Sequence, residues 1–194
     1  MTIFDLQRHS PSVVRLGAGR GFLVQTRERL SRRLIVTAAH CLPSFPPCAS
    51  ISLPEERTYP DLIGHRGAEP SIWVECLFVD PIADIAVLGS VDDQALPDEA
   101  AAYDELTEEM QPFAFTEPRP SEPAYVLSLG GNWLEVRLNA HGRCLSLSPG
   151  SVVQSGMSGS PLVYADGSVV GVAVTNEGPH PMLAKATPRW CDLA

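Results

Sequence analysis

The chain has 194 residues and a mass of 20.9 kDa, which is enough for one sizeable hydrophobic core or two small ones packed together. Its formal net charge of −9 argues against a nucleic-acid partner, because an acidic protein repels phosphate backbones. The sequence contains no run of about 18 apolar residues, which excludes a membrane-spanning helix.

In the first half of the chain, short apolar segments alternate with turn residues. They predict strands at 13–16, 22–24, 34–39, 72–79 and 85–88, with further candidates at 50–53 and 59–63. The basic segment 27–33 lies between the second and third strands and is expected to be a solvated hairpin tip; steering of acidic substrates is the alternative. Several short strands separated by turns indicate a small antiparallel barrel.

The composition changes after residue 90. Pro97 can open a helix, and apolar residues at helical spacing predict a short amphipathic helix within 96–110. Nine acidic residues and no basic ones lie between Asp92 and Glu117, which indicates a solvated face; a docking patch for a basic partner is the alternative. The proline-rich stretch 116–123 predicts an extended linker.

The second half again reads as strands punctuated by glycine-containing turns. Strands are predicted at 125–129, 134–138, 142–147, 160–164, 169–174 and 182–186. Together with 18 prolines and 15 glycines in the chain, this pattern favours a mostly β protein.

The five cysteines are odd in number and irregularly spaced. The N-terminus lacks a basic segment followed by an apolar one, which argues against a secretory signal. We therefore predict mostly reduced thiols in a cytoplasmic protein. No Cys-x₂-Cys pair and no His-Glu-x-x-His motif is present, so neither a metal nor another cofactor is predicted.

Three segments carry residues suited to nucleophilic catalysis. Ser158 lies between glycines in the sequence Gly-Met-Ser-Gly-Ser-Pro-Leu (156–162), a turn that can expose a hydroxyl and aim backbone N–H groups at an oxyanion. His40 follows one apolar strand and Asp84 precedes another. Each residue alone is more readily structural: a packed histidine, a turn-capping aspartate, a loop serine. Their joint occurrence in the order His, Asp, Ser predicts a base, an orienting acid and a nucleophile.

These three segments, with 19–24 and 171–176, strongly resemble the chymotrypsin/trypsin-like serine proteases and their bacterial HtrA-like branch. The resemblance spans about 13–186. It implies an all-β fold of two packed six-stranded antiparallel β-barrels, with a short helix in the inter-barrel region. The whole chain, 1–194, would be a single protease domain. Its N-terminal barrel would lie in 10–90, the acidic helix and linker in 91–123, and the C-terminal barrel in 124–190.

The resemblance also implies roles for individual residues. Ser158 would be the nucleophile, His40 the general base and acid, and Asp84 the orienting carboxylate. The oxyanion hole would consist of the backbone N–H groups of Gly156 and Ser158. Substrate contacts are expected at Val152, Ser155, Val174, Thr175 and Asn176.

Departures from the family pattern refine these expectations. The strand at 21–25 has no cysteine to pair with Cys41, so Cys41 is expected to be a free, packed thiol. Met157 stands where secreted zymogens carry an aspartate, which argues against their activation switch. Val152, near the expected pocket floor, offers no counter-charge, so a small or medium uncharged residue is expected before the cleaved bond.

The predicted function is a serine endopeptidase that cleaves protein or peptide substrates through an acyl-enzyme, with regulation by a protein partner or by the substrate. One alternative is a catalytically silent, protease-like module that captures an extended peptide as an added strand. Another is a partner-gated protease of a bacterial stress or defence system.

Overall fold

A computed structural model of the chain describes residues 6–26, 32–47, 53–119, 121–141, 144–147, 153–174 and 182–184. Within these ranges, 139–141, 144–147 and 182–184 are described by their backbone only. The candidate strand at 50–53 lies almost wholly outside the described residues.

Six strands close the first barrel. They are β1 (Val13–Leu16), β2 (Gly19–Gln25), β3 (Arg33–Ala38), β4 (Thr58–Gly64), β5 (Ile72–Asp80) and β6 (Ile85–Gly89). All neighbours are antiparallel, in the order β1-β2-β3-β6-β5-β4. Apolar, largely branched side chains fill one core cluster of this barrel and include the fully buried Val14, Leu16, Leu23, Ile35 and Ile63.

One α-helix, α1 (Pro97–Glu108), follows the first barrel. Pro97 occupies its first turn, where a missing N–H costs no helical hydrogen bond, and Asp98 and Glu99 complement the helix dipole there. Tyr103 and Leu106 are buried and belong to the same core cluster as the first barrel. Short 3₁₀ helices occur at Gln7–Ser12, Ala39–Cys41 and Pro54–Glu56.

The remaining strands form a second sheet. They are β7 (Ala114–Phe115), β8 (Ala124–Leu127), β9 (Trp133–Val136), β10 (Leu138–His141), β11 (Cys144–Leu147), β12 (Pro161–Tyr164), β13 (Ser168–Val174) and β14 (Met182–Ala184). Their order is β10-β11-β14-β13-β12-β8-β9, with β7 paired parallel to β13. The end strands of this order, β9 and β10, are consecutive in the chain and separated by Arg137 alone.

The two halves share a hydrophobic core. One cluster of buried side chains combines first-barrel residues with second-sheet residues, among them Phe22, Val24, Val36, Leu127, Val163 and Val172. Each half covers apolar surface that the other would otherwise expose to water, so the hydrophobic effect stabilises their association.

The predicted all-β, two-barrel architecture with a short helix is confirmed, with differences in detail. The first barrel has the predicted six strands, whereas the second unit has eight rather than six. Strand β2 begins at Gly19 rather than at residue 22, because Gly19–Gly21 pair with β1 instead of forming a turn. The predicted strand at 142–147 is present as β11 from Cys144 onward, and residues 142 and 143 lie outside the described residues. The predicted strand at 134–138 is divided between β9, which ends at Val136, and β10, which begins at Leu138. Within the described part of the chain, no helix has the length and apolarity to cross a membrane.

Candidate active site

Asp84 holds His40 at two points. The His40 Nδ1 atom lies 2.7 Å from Asp84 Oδ2, and the His40 backbone N–H donates to Asp84 Oδ1 at 2.9 Å. In addition, the Ala39 N–H donates to the Asp84 carbonyl oxygen at 3.1 Å. The carboxylate therefore sets both the position of the 3₁₀ turn that carries the histidine and the orientation of its ring, leaving Nε2 as the free ring nitrogen of this pair.

A tight turn before β6 places Asp84. The residue has φ +55°, in the left-handed region that aspartate tolerates better than most side chains. Asp80 stabilises the same turn by accepting hydrogen bonds from the N–H groups of Ile82 and Ala83 at 2.9 and 3.0 Å. Strand β6 then pairs with β3, which leads directly into His40, so neighbouring strands bring the two residues together.

Backbone hydrogen bonds hold the Ser158 loop. The Arg20 N–H donates to the Ser158 carbonyl at 2.8 Å and thereby joins β2 to the loop. Gly159 N–H donates to the Ala173 carbonyl at 2.7 Å, and Ala173 N–H donates to the Ser160 carbonyl at 2.8 Å. The nucleophile candidate is thus anchored to both halves of the molecule.

Two glycines permit this close approach. A Cβ atom on Gly159 would lie 1.9 Å from the Arg20 carbonyl oxygen, and Gly159 has φ +81°. A Cβ atom on Gly19 would lie 2.8 Å from the Ser158 carbonyl oxygen. Only residues without a Cβ fit at these two positions.

His40 and Ser158 line the same cavity, which has a volume of about 410 Å³. Ser155 and Gly156 also line it, together with the β1–β2 turn and the segment after His40. The structure thus brings together the predicted base, its carboxylate and the predicted nucleophile at one cleft between the barrels.

Gly156, the predicted oxyanion-hole donor, lines the same cavity as Ser158. Its φ of +88° is accessible to glycine at little cost. Among the described residues, no backbone carbonyl accepts a hydrogen bond from the Gly156 N–H. The amide is therefore available to an oxygen atom bound in the cleft.

Cys41, next to the candidate base, is a free thiol as expected. Burial raises its pKa to about 11, and a hydrogen bond with Thr37 offsets only part of this effect. Near neutral pH the group is therefore protonated, which makes it a poor nucleophile despite its position at the cleft.

The predicted substrate-binding residues divide into two groups. Ser155 lines the cavity, and Val174 is buried at the end of β13. Val152, Thr175 and Asn176 lie outside the described residues. Sequence reasoning missed Arg20 and Arg66, which line a second cavity beside the first; no local motif marks them, since they are far apart in the chain.

Two antiparallel β units that meet at a cleft, with a histidine–aspartate pair and a glycine-flanked serine at that cleft, define the trypsin-like class of serine proteases. A sequence model described as a trypsin-like peptidase domain matches residues 19–172. The chain belongs to this trypsin-like peptidase family. No curated protein matches the sequence.

Solved structures of proteases share the fold. The Rv3671c protease of M. tuberculosis, in an inactive form, is 18% identical over 93% of this chain and 86% of its own, with a TM-score of 0.56. A serine protease of a human pathogenic astrovirus is 16% identical over 93% and 92% of the two chains, with a TM-score of 0.60. The MamO protease domain of Magnetospirillum magneticum, in its apo form, is 16% identical over 92% and 93%, with a TM-score of 0.53. At such identities the likeness concerns the fold alone.

Proposed function

We propose that this serine protease is an endopeptidase that cleaves polypeptides through an acyl-enzyme, with Ser158, His40 and Asp84 as its catalytic triad. One observation carries the proposal. Asp84 forms hydrogen bonds with both the ring and the backbone N–H of His40, and His40 lines the same cavity as Ser158. An unoriented imidazole would be a poor base, whereas one held through Nδ1 presents Nε2 for proton transfer.

The chemistry follows from these positions. Ser158 Oγ attacks the scissile carbonyl carbon while His40 Nε2 takes the hydroxyl proton, and Asp84 stabilises the resulting imidazolium. The N–H groups of Gly156 and Ser158 stabilise the oxyanion of the tetrahedral intermediate. Collapse of the intermediate breaks the C–N bond, and His40 gives its proton to the leaving amine. Water then attacks the ester by the same sequence of steps, which releases the acid and restores the serine.

We place the enzyme in a reducing compartment such as the cytoplasm. Support comes from Cys41 and Cys76, which are both free thiols although they lie in or beside the barrel core. Burial raises the pKa of Cys76 to about 11, which slows its oxidation because the thiolate is the reactive form. Regulation by a partner or by the substrate stays a prediction from the sequence.

The test is cleavage of a peptide library together with labelling by a fluorophosphonate probe. We expect the wild type to cleave and to carry the label on Ser158, and Ser158→Ala to do neither while keeping the wild-type circular dichroism spectrum. Asp84→Asn should lose roughly 10⁴-fold in kcat, because the histidine would be held in the wrong tautomer.

The exposed Ser71 supplies the matched control, since it lies outside the cleft cavity. Ser71→Ala should cleave and label like the wild type. If the folded wild type neither cleaves nor labels, yet still binds peptides, the chain is a peptide-binding module and the proposal is wrong.

A further inference from the structure

A second cavity, of about 530 Å³, adjoins the catalytic one. The two share the residues Gly17, Ala18, Gly19 and Gly156 as a common wall. Three arginines, Arg15, Arg20 and Arg66, line this second cavity, and no acidic side chain is among its described lining residues. We refer to it as the arginine cavity. It stands out because acidic residues outnumber basic ones in the chain by 23 to 14.

Arg20 is a buried cation. The residue is 4% exposed, and its guanidinium donates to the Leu127 and Ser128 carbonyl oxygens at 2.5 and 3.0 Å. Within the described residues, no carboxylate forms an ion pair with it. A buried charge without a counter-ion is energetically costly, and an incoming anion would lower that cost. Burial and the nearby charge of Arg66 lower the Arg20 pKa to about 10, still well above neutrality.

Arg66 approaches the same cavity from the first barrel. Its guanidinium lies over Gly131, where a Cβ atom would sit 3.0 Å from Nη1, so the glycine leaves room for it. No carboxylate of the described residues pairs with Arg66. Arg15 differs, because it pairs with the highly exposed Glu69 at 3.1 Å. Two of the three guanidinium groups therefore lack an anionic partner in the described structure.

We propose that the arginine cavity binds the carboxylate of an acidic substrate residue and so determines specificity near the cleaved bond. This inference rests on the proposed peptidase function. The carboxylate would accept charge-assisted hydrogen bonds from the guanidinium groups of Arg66 and Arg20. Arginine makes such bonds in a planar, bidentate geometry. Leu129, half-exposed at the same cavity, offers an apolar contact to a neighbouring substrate residue.

The wall that the two cavities share determines how far the acidic substrate residue lies from the scissile bond. A cavity of this volume is roughly 10 Å across, and an extended chain advances about 3.3 Å per residue, so the acid lies two to four residues from the scissile bond. No residue of β13 lines the arginine cavity. The resemblance to trypsin-like proteases implies that β13, which ends at the predicted substrate contact Val174, pairs with substrate residues before the cleaved bond. We therefore assign the acidic residue to the leaving-group side.

The first experiment measures kcat/KM for peptide pairs that differ only by Glu or Gln, scanned over four positions on each side of the cleaved bond. We expect the wild type to prefer Glu roughly tenfold at one or two leaving-group positions, as one charge-assisted hydrogen bond would give. Arg66→Gln should abolish that preference, and Arg66→Glu should favour Lys instead. Arg32→Gln removes an exposed arginine outside both cavities and should leave the preference unchanged.

A second experiment does not require turnover. The Ser158→Ala variant is titrated with fluorescein-labelled octapeptide pools that carry Glu, Gln or Lys at one fixed position and mixed residues elsewhere. Tighter binding of a Glu pool, lost in Ser158→Ala/Arg66→Gln and weakened by added salt, supports the inference even if no peptide is cleaved. Equal binding and equal cleavage of Glu and Gln peptides, or a preference confined to the acyl side, would overturn it.

Discussion

At the scale of single residues, the cleft depends on a glycine, Gly159, as well as on the side chains of His40, Asp84 and Ser158. Gly159 has φ +81°, and its Cα faces the Arg20 carbonyl and the Thr37 hydroxyl. The same Thr37 hydroxyl donates to the Arg20 carbonyl at 2.6 Å, so this point of contact between β2 and the Ser158 loop is already filled. Any Cβ here would push the Ser158 loop away from the first barrel.

Gly159→Ala should therefore destabilise the protein by more than about 3 kcal/mol, because it combines a positive φ with a backbone clash. Gly67→Ala is the matched control: Gly67 has φ +90°, but a Cβ there would meet nothing within 4 Å. The control should cost only about 1 kcal/mol, from the strained backbone alone. Urea unfolding measures both; equal losses would contradict the steric argument.

The residues of the site differ in how visible they are in the sequence. His40, Asp84 and Ser158 stand in distinctive local contexts, so the sequence predicted their joint role and the structure brings them to one cleft. The arginine cavity could not be predicted, because Arg20 and Arg66 are separated by 46 positions and meet only through barrel closure. Convergence of distant residues depends on tertiary structure rather than on local pattern.

At the scale of elements, Arg33 connects the helix to the first barrel. Its guanidinium donates to the carbonyl of Thr107, in the last turn of α1, and at 3.0 Å to that of Met110, just beyond the end of the helix. The Tyr103 hydroxyl returns a hydrogen bond to the Arg33 carbonyl at 2.9 Å. A cation at this end satisfies carbonyl groups that lack helical partners and complements the helix dipole.

Arg33→Gln should lower the free energy of unfolding by about 1–3 kcal/mol, since the hydrogen bonds lost involve a charged donor. The adjacent Arg32 is exposed, and Arg32→Gln should change stability by less than about 0.5 kcal/mol. Thermal and urea unfolding followed by circular dichroism compare the two variants. If Arg32→Gln proves as damaging as Arg33→Gln, the contact with α1 is not what stabilises the helix.

Sequence patterns predicted the elements with strong apolar periodicity and missed those without it. Strands β5, β6 and β13 match their predicted positions closely, because valine, isoleucine and leucine mark them. Helix α1 also matches, because Pro97 marks its start and Ala100, Tyr103 and Leu106 stand at helical spacing. Strand β10 has the sequence Leu-Asn-Ala-His, whose asparagine and alanine are poor strand formers. It is held by pairing with β11, so its structure comes from its neighbour rather than from its own residues.

At the scale of the whole molecule, buried contacts join the two barrels. They share a buried core cluster, and Trp133 of the second barrel donates from Nε1 to the Ser10 hydroxyl of the N-terminal 3₁₀ helix at 3.0 Å. The Ser12 hydroxyl adds a hydrogen bond to the Gln111 carbonyl at 2.7 Å. Separating the halves would expose apolar surface and break these buried contacts.

We therefore expect a single urea transition. Variants that keep only Trp73, in β5, or only Trp133, in β9, report on one barrel each. In each variant the fluorescence midpoint should coincide with the midpoint from far-ultraviolet circular dichroism. A fluorescence transition that precedes the circular dichroism transition in either variant would show that one barrel unfolds alone.

The hydrogen bond from the Arg20 amide to the Ser158 carbonyl should slow hydrogen–deuterium exchange of that amide. This N–H belongs to a strand of the first barrel, while its acceptor belongs to the Ser158 loop of the second. Its proton can be replaced by deuterium only when this hydrogen bond opens, so its protection measures how often β2 and the Ser158 loop separate at this point. The exchange rate of one amide thus reports how long β2 and the Ser158 loop stay joined.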